Sequence, residues 1–342
     1  MIKKIIALAI FCTAVQLAFA QSNELNKLQK QLLLAKNDTS KALILVKLVK
    51  YYQRLKPDSA FKYASAGLKL AQENHYLKGE ALVLVILGAL YRETGDLPKA
   101  LDLALKSLLI SQKNNFLDIE DFTFVLIGSI YHDLGNYKKS NDYNQQAITI
   151  DKRLKNVDRL NGDFLNLTSN YIELGNTDSA SYYVQKAYNG YVKLKTIDED
   201  TYMWRDMGRI QFKMGNYNQA VAYLKKALLI TKNRQDHRNA SYNCSQLAAV
   251  FEKTNKIDSV IFYAKLGVEE GKTGPYNLFI LRCSIQLVNA FKNKNDFKSA
   301  LFYSELVQKT KEGLFGAGNI QAINKLIADE NERKKEIGRA HV

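Results

Sequence analysis

Four glycines and two asparagines, Gly95, Gly135, Gly175, Gly215, Asn255 and Asn295, stand forty residues apart in this chain. The position four residues earlier keeps the same step, as Tyr51, Tyr91, Tyr131, Tyr171, Gln211, Phe251 and Phe291. A small-residue column follows at Ala60, Ala100, Ser140, Ala180, Ala220, Val260 and Ala300. Three residues further on come Tyr63, Leu103, Tyr143, Tyr183, Tyr223, Tyr263 and Tyr303. A length of 342 residues admits two ordinary domains or one repeat array. A register held through seven copies leaves the array.

Each column has a physical reading. Gly or Asn at the break accepts the left-handed conformation that ends a helix. Apolar residues at helical spacing lie on both sides of it, the chain holds only 3 prolines, and long β-branched runs are missing, so the expected class is all-α. A small column lets helices of one repeat approach closely, and the aromatic columns fill the space between layers with large rings whose polar tips reach the surface. One hairpin cannot bury both of its apolar faces, so neighbours must stack.

The run Trp204, Gly208, Phe212, Gly215-Asn216-Tyr217, Ala220, Tyr223 and Ala227 resembles the tetratricopeptide repeat, and the resemblance covers about residues 40–310. It implies a right-handed α-solenoid of stacked antiparallel helix hairpins that binds proteins or peptides. Two departures stand out. The usual repeat has about 34 residues, and the proline that closes its second helix is missing. The extra residues imply longer helices, as in the variant found in bacterial signalling proteins.

The expected organisation has five parts: a signal peptide over 1–20, a capping helix over 21–39, seven hairpins over 40–312, a charged connecting helix over 313–336, and an artefact over 337–342. Lys3 and Lys4 precede an apolar stretch from Ile5 to Leu17, and Ala18-Phe19-Ala20 supplies a cleavage pattern before Gln21, which predicts export to a periplasm. Phe11 ahead of Cys12 argues against lipidation. Ile320, Ile323 and Ile327 open an amphipathic helix that "ADENERKKE" continues as a charged stretch resembling the start of a coiled coil. One back-translation of Glu336 to Val342 matches, from its second base, a common sequencing-adapter oligonucleotide. Residues 337–342 are therefore expected to be read-through, with the natural chain continuing beyond them.

The sequence offers little catalytic chemistry. "GVEEGKTG" from Gly267 has the wrong spacing and no preceding strand for a phosphate loop, and "GLFGAGNIQ" from Gly313 reads as a break after the last repeat. His75, His132 and His237 fall in different repeats without ligand-spaced partners, and His132-Asp133 reads as a solvated pair. Cys244 and Cys283 occupy different repeat columns and read as buried thiols. No enzyme activity, metal or cofactor is expected. The formal net charge of +15 comes mainly from dispersed lysines, which reads as a solvated surface rather than a nucleic-acid interface.

The resemblance places any ligand in the concave groove, on the first helix of each repeat. The columns it turns inward run Val85, Val125, Leu165, Arg205, Ser245, Ile285; Ala89, Ser129, Ser169, Arg209, Ala249, Asn289; and Arg92, His132, Ile172, Phe212, Glu252, Lys292. Among them Arg205 and Arg209, one helical turn apart and near Tyr202, are candidates to hold an acidic peptide, with the alternative that they balance neighbouring carboxylates such as Asp206. Phe212, Glu252 and Asn289 complete the expected contact set. The clamp by which some relatives grip a C-terminal carboxylate is absent. The function expected is the periplasmic sensor or scaffold part of a truncated membrane-spanning signalling protein, whose membrane helix and kinase or helix-turn-helix output lie downstream. The alternatives are a freestanding periplasmic scaffold and an accessory array of an enzyme.

Overall fold

A computed structural model describes residues 25–35, 37–52, 57–196 and 200–340, which fall into two compact units, residues 1–83 and 84–342, divided within one helix. The expected signal peptide lies outside the described residues. The helices are α1 (25–34), α2 (Asp38–Tyr52), α3 (Pro57–Glu73), α4 (Leu77–Thr94), α5 (Leu97–Lys113), α6 (Leu117–Asp133), α7 (Tyr137–Leu154) and α8 (Val157–Glu173). They continue as α9 (Thr177–Leu194), α10 (Thr201–Lys213), α11 (Tyr217–Asn233), α12 (His237–Lys253), α13 (Ile257–Lys272), α14 (Asn277–Asn293), α15 (Phe297–Phe315) and α16 (Ala317–Ala340). The architecture is an all-α stack of pairwise-packed helices. Among the described residues no helix is long and apolar enough to cross a membrane.

The break column does the work its composition implies. Gly135 N–H bonds back to His132 O at 2.9 Å and Asn136 N–H to Tyr131 O at 2.9 Å, and the pattern recurs at Gly95, Gly175 and Gly215. Closing the longer loop needs positive φ, which is 90° at Gly95, 76° at Gly135, 73° at Gly175, 82° at Gly215, 53° at Asn255 and 58° at Asn295. The next residue then starts a helix. Asp96, Asn136, Asn176 and Asp296 each accept the backbone N–H three residues ahead, at 3.1, 3.2, 3.0 and 3.1 Å. At Gly95-Asp96, Gly135-Asn136 and Gly175-Asn176 the dipeptide thus stops one helix and caps the following one, whereas Asn216 makes no such cap.

A second series of left-handed residues ends the other helix of each repeat. His75, Asn115, Lys155, Lys195 and Gln235 have φ of 52°, 56°, 55°, 59° and 55°, again at forty-residue intervals. Side chains other than glycine bear the steric cost of that conformation here.

In residues 1–83, Leu28 of α1 is buried against Leu45 and Leu48 of α2, and Tyr52 stacks on Tyr63 with centroids 5.3 Å apart. In residues 84–342 the columns pair within each hairpin. Tyr131–Tyr143, Tyr171–Tyr183, Phe251–Tyr263 and Phe291–Tyr303 stack at 5.7, 5.6, 5.4 and 5.7 Å. Where the column holds Gln211, Trp204 supplies the ring and stacks on Tyr223 at 5.6 Å. Ala100, Ala180 and Ala220 are fully buried and Ala300 is 4% exposed. A Cβ on Gly208 would lie 3.2 Å from the Ala220 carbonyl and 2.7 Å from Leu224, so the two helices touch backbone to backbone there.

The C-terminal helix packs against α5 rather than only on its chain neighbour α15. Glu330 is 2% exposed and accepts hydrogen bonds from the hydroxyls of Tyr131 and Tyr143 and from Lys139 Nζ at 3.3 Å. Two aromatic-column residues therefore hold the C-terminal helix through their polar tips. Burial, then the Glu330 charge, pushes the Tyr131 phenol far above its ordinary range, which keeps it a donor.

The breaks can be tested where space is not an issue. A Cβ on Gly135 meets nothing within 4 Å, so Gly135→Ala should lose only backbone strain, about 1–2 kcal/mol by denaturant unfolding. Lys155→Gly, at φ 55°, should escape the loss of about 1 kcal/mol that glycine causes in a helix interior. A Gly135→Ala variant as stable as wild type contradicts the assignment.

Candidate functional site

Helices α4, α6, α8, α10, α12 and α14 turn one face toward a common interior. They enclose a cavity of about 420 Å³ in residues 84–342, within the size range of ligand pockets. Its wall takes Arg92 from α4, Phe122, Val125, Ser129, His132 and Asp133 from α6, and Arg159, Asp163, Leu165, Asn166, Ser169 and Asn170 from α8. Tyr202 and Arg205 come from α10, Arg238, Asn239 and Tyr242 from α12, and Leu278, Phe279 and Arg282 from α14. Five arginines face the space, interleaved with aromatic rings and neutral amides and hydroxyls.

Several of these cations are already neutralised. Arg92 grips Asp133 with two hydrogen bonds at 2.7 and 3.2 Å. Burial alone would raise the Asp133 carboxyl, but the Arg92 charge and hydrogen bond, together with His132 and Arg238, hold the group below its ordinary value. Arg205 grips Asp206 in the same manner at 2.9 and 3.1 Å. Arg209, 2% exposed behind the wall, reaches Asp206 at 2.9 Å, Glu173 at 2.6 Å and Ser169 at 2.7 Å. Asp206 thus serves two guanidiniums from a fully buried position. Such fork-shaped pairs are strong when buried and fix side-chain geometry.

This changes the meaning of the arginine pair. Arg205 and Arg209 share a face, but their donors are directed into protein carboxylates. Tyr202 and Arg205 line the cavity; Phe212, Glu252 and Asn289 are not among its lining residues. Phe212 instead packs with Tyr217, ring centroids 6.0 Å apart, against the core around α11–α14, and Asn289 is exposed. His132-Asp133 is not a solvated pair. Asn170 spends its amide nitrogen on Ser140 and Asn141, so its Oδ1 accepts from His132 Nδ1 at 2.6 Å. Burial lowers the His132 pKa, leaving the ring neutral. The lining column Phe122, Gly162, Tyr202, Tyr242, Arg282, three residues before the expected inward column, obeys the same forty-residue step and was readable from helical periodicity.

One cluster carries no such signature. Asp121, Asp151 and Asp163, on α6, α7 and α8, bring carboxylate oxygens within 4.8 Å of one another. Three carboxylates are the donor type of a hard divalent cation, but Arg159 occupies that role, pairing with Asp121 and, at 3.7 Å, with Asp151. One guanidinium cannot neutralise three carboxylates. Burial, then the Asp151 charge, pushes Asp163 up to about 8, while burial takes Asp151 to about 6. At neutral pH Asp163 keeps its proton and shares it with Asp151. Cys244 and Cys283 are free and buried, and burial pushes Cys283 up to about 12, so both stay thiols.

The folded chain binds the Asp163 proton more tightly than the unfolded chain, whose aspartate titrates near about 3.9. That contribution is complete below the unfolded value and is lost as pH rises through about 8. Melting temperature should therefore fall between pH 6 and pH 9, and Asp163→Asn should flatten that fall. An unchanged slope in the variant would remove the shared proton.

The family model for the tetratricopeptide repeat matches residues 123–153 and 203–234, the hairpins α6–α7 and α10–α11. No curated protein sequence matches the chain significantly. Among solved structures, NprR in complex with its cognate peptide NprX is 16% identical, with a TM-score of 0.64 over 94% of this chain and 95% of that one. The apo form of RapI is 19% identical, with a TM-score of 0.58 over 75% of this chain and 90% of RapI. A Rap protein complexed with competence and sporulation factor is 14% identical, with a TM-score of 0.58 over 88% of this chain and 94% of that one. The chain therefore carries tetratricopeptide repeats at α6–α7 and α10–α11, set in an all-α stack whose fold is similar to that of NprR and the Rap proteins.

Proposed function

We propose that the chain binds a short peptide, or an extended segment of a protein, in the cavity enclosed by α4, α6, α8, α10, α12 and α14. The observation that carries this is the wall itself. Arginines and rings alternate with the neutral side chains of Ser129 and Asn166, and such neutral groups suit the alternating donors and acceptors of a peptide backbone. NprR and a Rap protein were solved with a peptide and with competence and sporulation factor, which supports the same use of a similar fold here.

The setting is read from the sequence. Cleavage after Ala20 exports the chain to the periplasm, where it serves as the sensor or scaffold part of a longer signalling protein, with the output domain encoded downstream. Sequencing the exported protein should give Gln21 as the first residue, and retention of Met1 would contradict this. Genomic sequence past the codon for Ile337 then separates the readings. A membrane helix followed by a kinase or helix-turn-helix region supports the sensor. A stop codon there leaves a freestanding scaffold, and a catalytic domain makes the array an accessory to it.

Binding can be tested with a synthetic library of random hexapeptides passed over the immobilised chain. Retained peptides, identified by mass spectrometry, are expected for wild type. Ser129→Trp, which fills the cavity from a position with no side-chain partner, should cut retention by about ten-fold or more. Equal retention by both proteins would move binding out of the cavity.

A further inference from the structure

The cavity's cations are unequally committed. Arg92, Arg159 and Arg205 are occupied by Asp133, by Asp121 and by Asp206. Arg238 and Arg282 are different. Among the described residues neither guanidinium has an ion pair or a hydrogen bond, and Arg238 Nε is buried with no partner at all. Each instead lies against a ring. Arg238 Cζ is 5.1 Å from the Phe279 centroid and Arg282 Cζ is 5.4 Å from that of Tyr242. The two rings are themselves 5.2 Å apart, so both guanidiniums flank one aromatic pair where α12 and α14 meet the cavity.

A guanidinium presents five N–H donors in a rigid fork, and leaving such donors unmatched inside a protein is costly. This chain pairs its other cavity arginines with its own carboxylates, so two unpaired ones flanking one aromatic pair mark a place where the acceptor comes from outside. The carboxylates of Glu93, Asp133 and Asp236 act on Arg238 only at longer range and do not fill its fork. Planar forks match planar carboxylates bidentately, and the rings beside them offer a face for an apolar neighbour of the acid group.

We propose that Arg238 and Arg282 form the anion subsite of this cavity and that it takes a carboxylate of a peptide ligand, from an Asp or Glu side chain or from a free C-terminus. Tyr242 and Phe279 receive the side chain next to that acid. The proposal rests on the peptide-binding reading above and adds the chemistry that selects among peptides. It also moves acid recognition away from Arg205 and Arg209, whose charges are spent on Asp206 and Glu173.

The test uses the full chain and two random hexapeptide libraries, one with free C-termini and one amidated, with retained peptides sequenced by mass spectrometry. Wild type is expected to enrich Asp and Glu in both libraries, or to retain only the free-acid library; the two outcomes tell a side-chain carboxylate from a terminal one. The double variant Arg238→Gln with Arg282→Gln should lose about ten-fold or more of that retention, and Arg282→Lys, which keeps the charge without the fork, should fall between. Should the variants fold poorly by circular dichroism, phenylglyoxal labelling of wild type replaces them, with retained peptides expected to protect Arg238 and Arg282. Peptides retained from both libraries without acidic bias, retained equally by wild type and the double variant, or giving no protection, would overturn the subsite and leave the peptide-binding reading standing. No retention by wild type would take down both.

Discussion

A residue with positive φ every twenty positions from His75 to Asn255, and again at Asn295, sets the spacing of the repeats. Each one ends a helix at a fixed length by turning two backbone N–H groups onto carbonyls that would otherwise be orphaned. After Gly95, Gly135 and Gly175 the next residue, Asp96, Asn136 or Asn176, caps the following helix at once. Helix length fixes helix phase, and phase decides which residues meet. The aromatic columns stack at 5.4–5.7 Å in four hairpins because Tyr131, Tyr171, Phe251 and Phe291 each stand one fixed distance before their break, and their partners another fixed distance after it. The small column lies where backbones cross for the same reason.

Stacking such hairpins produces the interior and its charge. A side chain on the inward face of one first helix meets its forty-residue relatives across a narrow space. Carboxylates such as Asp206 and Asp133 neutralise most of the arginines there, which stiffens the wall and leaves Arg238 and Arg282 as the unmet donors. The C-terminal helix closes the account on another side, since Glu330 takes the hydroxyls of Tyr131 and Tyr143 that the stack itself positions.

Periodicity made the helices, the αL glycines, the ring columns and the buried cysteines legible, since each is a local consequence of helical spacing. The second break series was not legible, because Lys155, Lys195 and Gln235 carry no local sign of a left-handed backbone; position alone requires it. Trp204 was legible as the first residue of the tetratricopeptide-like run, but not as the ring that replaces the missing one at Gln211. Long-range pairings escaped for a different reason. Asp121, Asp151 and Asp163 come from three helices, Glu330 is nearly two hundred residues from its partners, and Arg209 meets Glu173 a full repeat away. A one-dimensional pattern could offer Asp206 to Arg205 and Arg209 because it is their neighbour in the chain, but it could not offer Glu173.

The left-handed breaks can be measured in solution at positions where glycine does not dictate them. In the NMR spectrum of the full chain, Asn115, Lys155, Lys195, Gln235, Asn255 and Asn295 should show the strong intraresidue HN–Hα Overhauser effect and the large backbone coupling of a positive φ. Weak effects and helical couplings running through those six positions would mean longer, continuous helices, and the register that aligns every column and encloses the cavity would be gone.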